Sequence, residues 1–426
     1  MSGAFASFKL ATLGEHAEIL AGPPFDSEAF TNKPQDVPLV KGENVQQGYV
    51  DWSIAKRWPA NDTYNYKRFW LAPGDVVVAM DRPWVTAGLK WAYIRREDPP
   101  ALLVQRVARL RGKSTLDQGF LRCLISSEYF SNYIQPIVTG VNVPHISGKQ
   151  IGGFKIPLPP LKTQQKIAAI LAAHDDLIAN NQRRIALLER MAEDIYREWF
   201  LHLRFPSYKQ VEIERGVPKG WSLVKTEKAF KFYGGATPAR DTPGYWQDGE
   251  VNWFTPTDIT GADGMFLAAS GEQCTDEGLR NCSSTLFPPY SVMMTSRATI
   301  GAIGINLTAA CTNQGFITCI PNDAYPMAYL YHWLKLGKPH FESLSGGSTF
   351  AELTKGTFKR IEILTPPQPL VQRFQQLVAP MFKTIENCLK ANASLKAARD
   401  SLLPRLISGK LTVDKLDIRF PPEMGN

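Results

Sequence analysis

Two stretches of the chain carry the same apolar rhythm. Leu171, His174, Ile178, Asn181, Ile185, Leu188, Ala192, Ile195 and Trp199 recur with gaps alternating between three and four, and nothing among them breaks a helix. Phe374, Leu377, Met381, Thr384, Cys388, Ala391, Leu395, Ala398 and Leu402 repeat the alternation. Pro380 is expected to bend this second helix near its start, and Pro404 with Gly409 to mark its end. The spacing predicts two long helices, each with a coiled-coil seam. A helix of about 36 residues spans about 54 Å at 1.5 Å per residue, long enough to act as a ruler. Polar or small seam positions (His174, Asn181, Thr384, Ala391) weaken packing but restrict register. One seam needs another, and two helices leaving equivalent points of one chain pair most naturally antiparallel. The alternative is that each helix packs on its own domain.

The same punctuation precedes both helices. "KIPLPPLKTQQKIAAIL" from Lys155 and "RIEILTPPQPLVQRFQQLV" from Arg360 each run a short apolar strand into a double proline and then a helix. Pro159 and Pro160 match Pro366 and Pro367, an offset too long for a solenoid, whose units run about 20–50 residues. The preceding segments align as well. "LAPGDVVVAMDRPWVTAG" from Leu71 matches "LFPPYSVMMTSRATIGAIG" from Leu286, pairing Arg82 with Arg297, and "DVPLVKGENVQQGYV" matches "EVNWFTPTDITGADGMF". Short strands joined by polar, Gly-containing loops, with a few short helices, read as α+β. The expected organisation is a domain over 1–155, a helix over 156–205, a second domain over 206–360 and a second helix over 361–426, related by a pseudo-twofold repeat.

A chain of 426 residues accommodates two such cores. No apolar run approaches the roughly 18 residues of a membrane helix, and the start lacks a basic and then apolar leader, so a cytoplasmic protein is expected. The six cysteines form no C-x-x-C pair and read as buried thiols, not metal ligands. The net charge of +8 permits nucleic acid as a partner. Residues 1–155 carry 18 Lys and Arg against 14 Asp and Glu, whereas residues 206–360 carry 14 of each. A non-specific DNA coat would be basic throughout, so local clusters must make any contacts.

The motifs do not build an enzyme. "FPPY" at Phe287–Tyr290 has the shape of the turn that holds a target amine in amino-methyltransferases, but Phe287 cannot accept a hydrogen bond, and "APGD" in the first domain marks it as a shared turn. "GAIG" is too short for a dinucleotide or phosphate fingerprint, and the histidines are scattered. Binding signals are better. "TGVNVPHISGKQ" and "SGGSTFAELTKG" precede the double prolines at equivalent positions and suit phosphate approach and base-edge hydrogen bonds, or else are ordinary solvated connections.

Taken together and in order, these segments resemble the specificity subunits of type I restriction-modification systems. "GGATPARDTPGYWQDGEVNWFTPTDIT" and "AGPPFDSEAF … VPLVKGENVQQG" resemble the family's two common domain openings, with Lys41 where many members have arginine. "HISGKQIGGFKIPLPPLKTQQKIAAIL" with "DDLIANNQRRIALLERMAEDIYREWF" resembles its central conserved region, and "SLLPRLISGKL" its C-terminal close. The resemblance implies two target-recognition domains that read the halves of a bipartite, asymmetric site in double-stranded DNA. It further implies spacer helices that set the gap and recruit two modification subunits, and no catalytic activity or cofactor in this chain. S-adenosylmethionine, ATP and magnesium would belong to those subunits and to two restriction subunits, in a cytoplasmic phage-defence complex. A self-contained DNA adenine methyltransferase or a scaffold without DNA are the competing classes.

Candidate DNA contacts are Lys41, Asn44, Arg82, Trp84, Asn142, His145 and Lys149 in the first domain. In the second they are Thr237, Thr255, Asp258, Arg297, Asn313, Gln314, Ser348, Thr349 and Lys355. Arg82 and Arg297 are expected at equivalent places, each free to meet phosphate or pair with guanine, or else to form a structural ion pair.

Overall fold

The computed structural model describes residues 8–85, 88–138, 144–214, 216–346 and 351–418. They divide into two units, Met1–Ile178 with Ser394–Asn426, and Ala179–Ala393.

In the first unit a five-stranded sheet runs in the order Ala17–Ala21, Val107–Gly112, Val76–Ala79, Trp91–Tyr93, Gln47–Gly48. All its pairings are antiparallel except the last, which is parallel. Val76–Ala79 is fully buried, as its uninterrupted apolar run requires of a central strand covered on both faces. Val37–Val40 lies between Leu102–Leu103, parallel, and Arg57–Trp58, antiparallel. Leu10–Thr12 pairs with Lys155–Pro157, which fastens the start of the unit to the segment entering the first long helix. The helix Gln118–Ser126 packs its apolar face on the sheet, capped where Asp117 accepts from the Phe120 amide at 2.9 Å.

The second unit repeats this topology strand for strand. Its sheet runs Phe232–Tyr233, Phe316–Cys319, Val292–Arg297, Thr299–Asn306, Phe266–Leu267, again with only the last pair parallel. Val251–Phe254 sits between Ala310–Thr312, parallel, and Glu272–Cys274, antiparallel, and Ser222–Lys225 pairs with Glu362–Thr365. The architecture is α+β, duplicated.

The long helices are Leu161–Tyr196, which runs on into a π turn at Arg197–Leu201, and Gln368–Ile407. The double proline starts the first because Pro159 and Pro160 lack amides while their carbonyls remain available. Pro160 accepts from the Thr163 and Gln164 amides. Buried Gln164 donates to Pro159 O at 2.8 Å and accepts from the Asp117 amide at 2.8 Å, tying the corner to its own unit.

Within each unit the two helices run antiparallel. In the first, Ile167 and Leu171 share a core with Leu406 and Ile407, and Asp175 accepts from Arg399 at 2.7 Å. In the second, Asn181 donates to Asn392 at 2.9 Å, and Tyr196 meets Phe374 with ring centroids 5.9 Å apart. The first seam is buried or half-buried throughout, as its heptads predict. The second differs from its expected course. Leu377, Ala391 and Ala398 are exposed, and the buried stripe follows Val371, Phe374, Val378, Phe382 and Ile385. That stretch also faces the helix Met327–Leu336, where Phe382 packs on Tyr331 and His332, so a second surface competes for its apolar side chains. The helix runs past Pro404 to Ile407 and closes at Gly409, whose φ of +74° is left-handed, so it ends between the two residues expected to mark it.

Among the described residues no helix is long and apolar enough to cross a membrane, and no group of three His, Cys, Asp or Glu side chains could hold a metal. All six cysteines are free.

Candidate nucleic-acid interface

The buried central strand of the first unit emerges at Met80–Arg82, where the backbone is gripped from both sides. The Met80 amide donates to Arg106 O at 2.8 Å, Ile146 donates to Met80 O at 2.8 Å, and Arg82 donates to Pro144 O at 2.8 Å. Arg82 and Arg106 have φ of +42° and +68°, conformations a side chain adopts only where its surroundings impose them. Between them the largely buried Asp81 carboxylate pairs with Arg106 at 2.9 Å and bonds the His145 ring. One acid thereby positions two exposed or half-exposed bases.

Neighbouring candidates converge on this point. Gly42 lies against the Asp81 carbonyl, and Lys90 donates to Gly42 O, with burial pushing its amine below the ordinary lysine range. Lys41 is half-exposed and pairs with Glu43 at 2.9 Å, while Lys149 is exposed on the helix Gly148–Gly152. Trp84 is half-buried against the core. The exposed Arg82 guanidinium has no ion-pair partner among the described residues. Asn44 is a correction to the expected contacts: it is buried, accepts from the Lys41 amide at 2.8 Å and donates to Leu39 O at 3.0 Å, so its amide is committed to holding its own turn. Asn142, Ser348 and Thr349 lie outside the described residues.

The second unit carries the same grip. Ser296 donates to Gly315 O at 2.8 Å, Leu353 to Ser296 O at 2.9 Å, and Ala298 to Ala351 O at 3.0 Å, with Ala298 at φ +61°. Met80 therefore corresponds to Ser296, Asp81 to Arg297, Arg82 to Ala298 and His145 to Glu352. The expected pairing of Arg82 with Arg297 is out of step by one residue. The proline turn "LFPPYSV" is one residue longer than "LAPGDV", and in a strand a one-residue slip turns a side chain to the opposite face. The charges are inverted. An acid on the strand and a histidine opposite become an arginine on the strand and a glutamate opposite. Arg297 and Glu352 are half-exposed or more and 3.8 Å apart, a loose pair that contributes little stability.

The other candidates of the second unit gather beside this grip. Thr237 donates to Gln314 at 2.8 Å, and Asn313 accepts from the Gly315 amide at 2.9 Å. Lys355 is exposed, its stem lying across Gly234, where a Cβ would meet the lysine Cε at 1.9 Å. Thr255 and Asp258 are half-buried and bonded to each other. They form a capping box in which Asp258 accepts from the Thr255 amide at 2.6 Å and its hydroxyl at 2.7 Å, with its second oxygen taken by the Gly271 amide at 2.7 Å. These bonds shape the loop.

Sequence reasoning missed several residues. Arg106 completes the first cluster, and buried Lys90 holds the Gly42 carbonyl beneath it. In the second unit Arg240 lies 4.0 Å from the Trp246 ring and 4.7 Å from Trp253, with a two-pronged bond to Glu272 at 2.5 and 2.9 Å. The "TPARDTPGYW" motif is thus a cation–π cage that folds its own loop. "FPPY" is a structural turn, in which buried Phe287 is core and Tyr290 reaches Glu386 of the second long helix at 3.5 Å.

Two α+β units of the same topology, each exposing an arginine at or next to the exit of its central strand, define a duplicated protein. Comparison with known proteins specifies it further. The family model described as the type I restriction modification DNA specificity domain matches residues 7–190 and 218–398, and the chain belongs to this family of non-catalytic specificity subunits. It is 32% identical over 337 residues to the MjaIX specificity subunit of Methanocaldococcus jannaschii, covering 76% of each chain. It is 24% identical to the HindI specificity subunit of Haemophilus influenzae, covering 68% of this chain and 77% of that one. Its fold is similar to that of the type I S subunit from M. genitalium, with a TM-score of 0.60 at 14% identity over 94% and 96% of the two chains.

Proposed function

We propose that each unit, over about residues 1–155 and 206–360, reads one half of a bipartite, asymmetric site in duplex DNA, and that the helix pair sets the gap between the halves. The observation that carries this reading is the inverted grip. The same backbone device presents Asp81, His145 and Arg106 in one unit and Arg297 with Glu352 in the other. Opposite donor and acceptor sets on equivalent positions suit different base edges, since guanine and cytosine offer opposite patterns in the major groove. The chain then joins two modification subunits that bind S-adenosylmethionine and methylate adenine, and two motor-nuclease subunits that use ATP and magnesium, in the cytoplasm where the DNA is. Its relatives are named as specificity subunits of type I restriction enzymes, which supports the assignment of partners.

Selection of bound duplexes from a random library, using the chain co-purified with its modification subunits, tests the reading. Two unlike half-sites separated by a fixed gap are expected. A pool without sequence preference would refute it.

A further inference from the structure

The second unit contains an open groove of about 770 Å³ beside the strand Phe232–Tyr233. Lys228, Lys231, Lys355 and Lys359 line it, together with Tyr233, Gly234 and one acid, Glu227. All four lysines are exposed, and none has an ion pair among the described residues. Four ammonium groups against one carboxylate leave the groove with an excess of positive charge, an arrangement that favours a polyanion.

The internal repeat shows what this position carries when no such demand exists. The Leu13 amide donates to Phe154 O and the Thr226 amide to Ile361 O, so Thr226 corresponds to Leu13. The sheet pairing of Leu20 with Arg109 and of Tyr233 with Thr318 continues the same register. Lys228 and Lys231 therefore stand where the first unit has Glu15 and Glu18. The helices capped by Ser147 and Thr354 place Lys355 and Lys359 where it has Gly148 and Gly152. With Glu227 standing where the first unit has Gly14, one unit carries four cations and one acid where the other carries two acids and three glycines.

We infer that this groove is a track for the DNA sugar-phosphate backbone, used by the second unit alone, so that the two halves of the site are held with unequal electrostatic strength. The inference rests on the DNA-reading function proposed above and adds which unit anchors the duplex. The groove's place supports a DNA backbone over an acidic protein. Lys355 lies over Gly234, the next residue Gly235 abuts the carbonyls of Thr312 and Asn313, and Asn313–Gly315 adjoins the grip around Arg297. A phosphate run laid in the groove leads toward the side chains proposed to read bases, and contacts to phosphate fix register while adding no sequence preference.

The test exchanges Lys228→Glu and Lys231→Glu together, installing the residues that the first unit tolerates on the same backbone. Affinity of the full chain with its modification subunits is measured across a salt titration on the selected duplex. Each phosphate contact contributes about 0.9 to the slope of log K against log salt, so a slope smaller by about 2 is expected, with the selected sequence unchanged. Lys355→Gln with Lys359→Gln, which introduces no new charge, should lower the slope similarly if the first pair fails to fold. An unchanged slope in folded, sequence-selective variants would overturn the track. So would loss of modification-subunit binding at an unchanged slope, which would mark the groove as a protein contact. Absence of sequence preference in the unaltered chain would instead sink the proposed function, and the slope difference would still decide whether the groove holds phosphate.

Discussion

Asp81 and Arg297 occupy the same position in the two units, at the exit of the buried central strand and opposite the segment that returns toward the double proline. Each is held by the same three backbone hydrogen bonds and followed by a residue with left-handed φ. A rigid, partly strained backbone offering opposite charges is a scaffold on which side chains change without disturbing the frame.

Arg297→Ala tests the second unit. The pair with Glu352 is exposed and 3.8 Å long, so its loss leaves stability nearly unchanged. Removal of a bidentate base contact costs about 1–3 kcal/mol. Binding to the selected duplex should weaken about 5- to 150-fold, with relaxed preference at a base of one half-site only. Library selection with the variant identifies that base.

Asp81→Asn tests the first. The substitution keeps the shape and removes the charge that positions Arg106 and His145. Non-specific affinity should rise severalfold through the added net positive charge, while preference within the other half-site relaxes. Competition between selected and random duplexes at two salt concentrations reads both effects.

Much of the frame was legible because it is written in positions that cannot vary without breaking it. Pro159 and Pro160, the seam through Leu171, Ile178, Ile185 and Ala192, and the apolar run Val76–Ala79 all sit where their patterns place them. Three features were not. The stripe through Val378 and Phe382 answers to two neighbours, and a heptad describes only one. The matching of Arg82 with Arg297 followed residue identity across a turn of unequal length, and only the backbone bonds reveal the slip. Asn44 is a polar loop residue like the other candidates, and burial and internal hydrogen bonds alone show that it serves the fold. The lysine groove was within reach. Aligning Glu15 and Glu18 with Lys228 and Lys231 requires only the register of the strands that follow the first short helix of each unit.

His332 makes the second unit sensitive to acid. It is buried among Tyr196, Tyr331 and Phe382, neither ring nitrogen has a hydrogen-bond partner, and burial lowers its pKa from 6.5 to about 3. The unfolded chain therefore takes up the proton first as pH falls. Stability is full above pH 6.5 and declines toward pH 3, by about 2 kcal/mol between pH 8 and pH 5 from this residue. His332→Phe should remove that component, so denaturant midpoints at the two pH values should lie closer together than in the parent. An equal gap would assign the acid sensitivity elsewhere.

Asn181 and Asn392 are bonded across the helix pair, a polar contact inside an apolar seam. Either single change to leucine removes this bond and should cost about 1 kcal/mol. The double change should cost less than the sum, because both polar groups leave together. Chemical denaturation of the four proteins gives the coupling, and simple additivity would show that the bond between the two amides contributes nothing of its own.

The same pair fixes where the helices can be lengthened together. Because Asn181 faces Asn392, seven residues inserted after Asn180 and seven inserted after Asn392 enter opposite one another and leave both flanking seams in register. Insertion at unmatched sites would leave the intervening residues facing the wrong partners. One heptad adds about 10 Å, or about three base pairs of B-form DNA. If the helix pair sets the spacing, the preferred gap between half-sites grows by about three base pairs while both half-site sequences stay the same. Some affinity is lost, because three base pairs rotate one half-site about the duplex by less than a full turn. Selection from a library of randomised gaps measures this, and an insertion protein that folds, binds and keeps the parental gap would show that something other than the helices sets it.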